Sequence, residues 1–221
     1  MVSRGPERSP SRHGAPGPLL ELTVDSVAFG GDGVARHQGL VVLVEGGLPG
    51  ERVRARMTRR SRNFARAQVE EILSPSSSRV PVPCLHFPEC GGCAYQALDY
   101  SVQPCVKRRQ VADLLERVGR FPAPPVAPAL APSEPFHYRS RMTYGLPLRK
   151  DSGPGLHLRG VSGGSLEVEA CLLPERDLQR AYLGIRGDLR RLQPRGRPLR
   201  IELQAGEPGE RPVALLHGRG D

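Results

Sequence analysis

At 221 residues the chain has room for one sizeable domain or two small ones, and 38% hydrophobic content supports modest cores rather than a large one. No stretch approaches the ~20 apolar residues of a membrane span, and the opening MVSRGPERSPSRHGAPGP has charge but no apolar run behind it, so neither a membrane protein nor a secretory signal is expected. The net charge of +9 points to a polyanionic partner, RNA or DNA ahead of a membrane surface, against the plainer reading of GC-rich codon usage.

The positive charge is almost entirely Arg; Lys107 and Lys150 are the only lysines. A planar guanidinium suits bidentate phosphate contacts. Five cysteines do not pair evenly, so a reducing, cytoplasmic setting is expected, where clustered thiols serve metal or redox chemistry.

Residues 1–18 read as a disordered arm rich in Pro, Ser, Gly and Arg. From Leu19 the pattern changes to short strands. LLELTVDSVAFGGDGVAR gives an alternating strand and a Gly-rich turn, and GLVVLVEGGLPGE a short apolar strand. ERVRARMTRRS alternates, with Val53, Ala55 and Met57 on one face and Arg52, Arg54 and Arg56 on the other; NFARAQVEEIL is a further strand. Short strands between turn signals predict a small antiparallel barrel of OB type over residues 19–76.

Seven arginines and no acidic residue lie between Arg52 and Arg66. Arg52, Arg54 and Arg56 on the hairpin face, with Arg59, Arg60 and Arg62 around its turn, are the candidate track for a phosphate backbone. Phe64 and Tyr95 are candidates to stack a base. The competing reading is a solvated charged face that protects an edge strand.

SPSSSRVPVP is a linker, and the segment 77–97 that follows holds Cys84, Cys90 and Cys93 in the spacing C-x5-C-x2-C. The two glycines inside CGGC let the loop turn tightly so that its thiols converge. Four thiolates hold either zinc or an iron–sulfur cluster. Cys105, Cys171 and, for zinc, His86 are the candidates for the fourth position, and spacing does not choose among them.

Residues 98–120 are read as a helix with Val111, Leu114, Leu115 and Val118 on one stripe and Pro104 confined to its first turn. FPAPPVAPALAPSEP (121–135) is an extended Pro/Ala linker. Strand-like pieces follow in HYRSRMTYGL, GLHLRG and SLEVEACLL, then a helix over 175–192, then strands in PLRIELQ and PVALLHG.

VDSVAFGGDGVAR, GLPGERVRARM, PCLHFPECGGCAYQALDY, YRSRMTYG and EACLLP occur in this order. In order and wording they resemble the iron–sulfur RNA uracil-5-methyltransferases that modify ribosomal RNA, including their amino-terminal TRAM domain. The resemblance runs from about Leu19 to about Leu173. It implies a [4Fe–4S] cluster on Cys84, Cys90, Cys93 and Cys171, gives Cys105 no role, and places Arg139 and Arg141 in a substrate-proximal basic motif. It also implies S-adenosylmethionine as methyl donor. Here the chain departs from the family: no Gly-rich strand–turn–helix for that cofactor, no DPPR followed by a nucleophilic Cys and no late general-base Glu is found. No catalytic residue is assigned.

The expected fold is therefore mainly β with some α: a TRAM barrel, a cluster segment and an incomplete α+β central domain over 136–221. The expected function is RNA binding in such a methyltransferase, with S-adenosylmethionine bound by a separate domain or chain and no activity from this chain alone. The rival expectations are a stand-alone TRAM-type RNA-binding protein with a zinc or iron–sulfur site, and a redox-sensing iron–sulfur protein.

Overall fold

The structure, a computed structural model, describes residues 17–146, 157–161, 164–192, 197–207 and 210–219. The predicted arm falls outside the described residues except for its last two. The chain forms two compact units, divided between Ser77 and Ser78.

The first unit is a closed barrel of β1 (Leu19–Val27), β2 (Gly33–His37), β3 (Leu40–Glu45), β4 (Arg52–Arg60) and β5 (Phe64–Ser74), in the order β1-β2-β3-β5-β4. β1 and β4 pair antiparallel and close it, while β3 and β5 run parallel. Strict alternation builds the interior: Leu20, Leu22 and Val24 point inward from β1, Val42 and Val44 from β3, Val53 and Ala55 from β4. Ala35, Ala55, Ala65 and Ala67 are also fully inside, and such small side chains let a five-stranded barrel close tightly.

The stretch read as one strand and a turn is in fact a hairpin, β1 and β2, joined through Gly30 and Gly31 at positive φ. Gln38 and Gly39, both at positive φ, make the two-residue turn into β3. Glu51 is fully buried; its carboxylate accepts from the backbone N–H of Leu48 at 2.9 Å and of Ser76 at 3.3 Å, tying the β3–β4 turn to the barrel's last residues.

The second unit holds α1 (Gln103–Arg117), an antiparallel sheet in the order β10-β9-β6-β7-β8 and α2 (Arg176–Leu192). Its strands are β6 (Arg141–Gly145), β7 (His157–Arg159), β8 (Ser165–Glu167), β9 (Arg197–Gln204) and β10 (Val213–Arg219). Leu178 and Tyr182 of α2 pack with Met142, Tyr144, Ile201 and Leu203 of the sheet, and Cys171 packs against this cluster. The rings of Tyr144 and Tyr182 lie 4.6 Å apart. Burial of each such side chain contributes roughly 1.5–3 kcal/mol.

α1 starts where Pro104 allows, with the proline in its first turn. Its predicted apolar stripe stands largely in solvent: Val111 is 47% exposed, Leu114 46%, Leu115 42% and Val118 77%. The Pro/Ala segment after it has no helix or strand and is held by hydrogen bonds. The Arg108 guanidinium donates to the Val126 carbonyl at 2.8 Å, and the Tyr100 hydroxyl to the Pro132 carbonyl at 2.9 Å. No helix among the described residues is long and apolar enough to cross a membrane.

Candidate functional site

The loop of Cys84, Cys90 and Cys93 is held by backbone bonds that its sequence does not announce. Cys90 N–H donates to the His86 carbonyl at 2.8 Å and Gly91 N–H to the Arg159 carbonyl at 3.0 Å, stitching the loop to β7. A Cβ at Gly91 would sit 3.0 Å from that same carbonyl oxygen, so a glycine is what permits this approach. The segment 137–139 runs beside 172–174: Tyr138 and Arg139 N–H groups both donate to the Leu173 carbonyl, at 3.0 and 2.9 Å. The Glu169 N–H, which donates to His86 Nε2 at 3.0 Å, brings the stretch before Cys171 onto the cysteine loop.

Cys84, Cys90, Cys93 and Cys171 line a single cavity of about 490 Å³, walled in part by Phe87, Met142 and Leu158, with Arg139 and Arg141 on it. All four are partly buried free thiols. Cys105 is exposed on α1 and does not reach this cavity. His86, weighed as a zinc ligand, has its Nε2 engaged, accepting from the Glu169 N–H at 3.0 Å. Among the described residues, no three His, Cys, Asp or Glu side chains are placed to hold one metal ion.

Burial pushes the Cys93 thiol up; the Gln96 amide beside it pulls the other way, and Cys84 and Cys90 add to the rise. Cys171 is likewise raised, first by burial and then, against a hydrogen bond from Leu173, by Cys93, Cys84 and Cys90. Ionising Cys93 and Cys171 in this setting calls for a cation beside them. Tyr144 is fully buried and its hydroxyl has no hydrogen-bond partner among the described residues. Burial holds that phenol protonated, with Cys171 and Cys90 among the charges that act on it.

Gln96 and Tyr144 were not foreseen from sequence. Each matters through what lies beside it in space, and neither belongs to a spacing pattern.

On the barrel, the predicted arginines divide. Arg52 pairs with Glu21 at 3.8 Å, Arg54 with Glu21 at 3.2 Å and also with Glu71, and Arg56 with Glu70 at 2.5 Å. The Glu70 carboxylate holds Arg56 firmly charged, and Arg56 in turn keeps Glu70 below its ordinary range. The hairpin face thus carries a cross-strand ion-pair lattice. Arg59, Arg60 and Arg62 at the far end have no ion-pair partner among the described residues. Phe64 opens β5 half-buried. Arg139 joins Pro174 in an isolated bridge, and Arg141 pairs with the buried Glu202 at 2.7 Å.

Residues 16–69 match the TRAM domain family. Over longer stretches the chain is similar to RNA methyltransferases. It is 35% identical over 198 residues to the 23S rRNA (uracil(1939)-C(5))-methyltransferase RlmD of Bordetella avium, covering 89% of this chain and 41% of that one. It is 32% identical over 203 residues to an uncharacterized RNA methyltransferase of Thermosynechococcus vestitus, 92% of this chain and 44% of the relative. The chain therefore spans less than half the length of these curated relatives. A crystal structure of Pyrococcus abyssi tRNA (uracil-54, C5)-methyltransferase in complex with S-adenosyl-L-homocysteine shares the fold: TM-score 0.58 at 19% identity, over 88% of this chain and 45% of that one.

Proposed function

We propose that this chain is the RNA-binding, cluster-bearing portion of a cytoplasmic, S-adenosylmethionine-dependent RNA uracil-C5 methyltransferase acting on ribosomal RNA. The observation that carries the reading is the convergence of Cys84, Cys90, Cys93 and Cys171 on one cavity, with Cys105 left out, in a chain similar to RNA methyltransferases. A [4Fe–4S] cluster, when bound, supplies the positive charge that four thiolates need and a cross-link between the 84–93 loop and residue 171. The protein's own part is to shield that site with Phe87, Met142 and Leu158, and to offer the Gln96 amide to the Cys93 sulfur. Arg59, Arg60 and Arg62 are left free to meet phosphates on the barrel. S-adenosylmethionine is bound by a portion outside this chain, and no residue here is assigned to methyl transfer.

The test joins the chain to the S-adenosylmethionine-binding portion of the Bordetella avium relative. Labelled methyl should pass to C5 of uridine in a ribosomal RNA fragment from the fusion, and not from the chain alone. Transfer by the chain alone overturns this division of labour. An iron-loaded fusion that binds the RNA without methylating it overturns the enzyme reading in favour of a stand-alone RNA-binding protein.

A further inference from the structure

A second cavity, of about 530 Å³, opens in the Ser78–Asp221 unit on the other side of Cys93. It falls in the size range of small-molecule sites, roughly 300–1,000 Å³. The chain has five tyrosines and five phenylalanines in all, yet Tyr95, Tyr100, Tyr138 and Phe136 all line this one cavity. Its charged lining residue is Lys107, whose ammonium sits 5.6 Å from the centre of the Tyr95 ring; no carboxylate lines it.

The walls are fixed in advance. The Tyr95 hydroxyl donates to Gln110 Oε1 at 3.2 Å, the Tyr100 hydroxyl to the Pro132 carbonyl at 2.9 Å, and the Gln103 amide to the carbonyls of Tyr95 and Leu98 at 3.1 and 3.0 Å. Tyr138, by contrast, is 53% exposed, an open ring at the wall. Gln96 lines this cavity as well as the first, and its Oε1 is a buried acceptor with no partner among the described residues. An aromatic slot with a cation, a spare acceptor and no carboxylate matches a planar, hydrogen-bond-donating ring attached to a phosphate.

We propose that this cavity takes one unstacked nucleobase of single-stranded RNA, stacked on Tyr138, with its phosphate on Lys107 and its ring N–H or amine on Gln96 Oε1. Every base has a face to stack and a donor to offer, so the slot is tolerant of sequence. It places one nucleotide against the wall that carries Cys93. The proposal rests on the reading of the chain as an RNA binder, and its test separates the two.

Fluorescence anisotropy of the full chain is measured with two labelled probes, an oligouridylate of about eight nucleotides and a ribose-phosphate oligomer of equal length without bases. The oligouridylate should bind more tightly. Tyr138→Ala should weaken it by about tenfold, as removal of one stacked base implies, and leave the abasic oligomer unchanged. Tyr138→Phe, which keeps the ring, should bind like the parent. Lys107→Gln should lower the log–log salt slope by about 0.7 for both probes, one phosphate on a single strand. Equal affinity for the two probes, or a Tyr138→Ala variant that binds oligouridylate as the parent does, overturns the pocket and leaves RNA binding standing. No binding of either probe by the parent overturns the RNA reading and the pocket together.

Discussion

Cys105 and Cys171 are both free thiols, yet one stands exposed on a helix and the other on the wall of the four-cysteine cavity. After anaerobic purification, Cys171→Ser should fall from about four irons per chain toward none, and Cys105→Ser should keep its iron and inorganic sulfide. Iron loss from Cys105→Ser with retention in Cys171→Ser would reverse the ligand assignment. A second residue-level prediction concerns Glu202, buried on β9 and paired with Arg141. The Arg141 guanidinium holds its carboxyl below the ordinary carboxylate range. A carboxyl so lowered stabilises the fold above its unfolded pKa, and that contribution disappears as pH falls through the folded value. Glu202→Gln should therefore melt below the parent at neutral pH, and the gap between their melting temperatures should close in acid. A gap that is constant with pH would assign the effect to packing.

At the level of elements, β4 and the turn after it carry two kinds of arginine. Arg59, Arg60 and Arg62 replaced together by Ala should reduce the salt slope of RNA binding by about 0.7 for each phosphate that these side chains neutralise. The same change at Arg52, Arg54 and Arg56 should leave most of the slope and instead weaken the barrel, because Glu21, Glu70 and Glu71 are then without their cations. An equal drop in slope from both sets would show that the ion pairs open for RNA. α1 makes a different prediction. Its first turn lacks a side-chain cap and its stripe from Val111 to Val118 is in water, while Gln110 alone is buried. Amide exchange across 105–119 should be fast in the isolated chain and slow when the fused methyltransferase portion covers the stripe. Strong protection in the isolated monomer would mean that α1 already rests on enough core.

Over the whole molecule, what could be read from sequence was what repeats at short range. Period-two alternation marked Val53 and Ala55 as interior, and C-x5-C-x2-C marked three thiols for one loop. Register was not legible. Glu21 of β1 and Glu71 of β5 stand opposite Arg54 only because two strands flank β4, so a run with no acidic residue in it is neutralised from its neighbours. Nor did composition at 121–135 reveal that Pro132 and Pro135 of this extended segment form part of an aromatic cavity. The order of the second sheet has a practical consequence. β10 lies at its edge, and Val213, Leu215 and Leu216 there are exposed. Among the described residues no strand pairs with its outer side, so this seven-residue strand with leucines in water is a template for a second copy's β10. Concentrating this protein for crystals or for spectroscopy should therefore favour a sheet continued from chain to chain, and a particle size that grows with concentration is the sign of it.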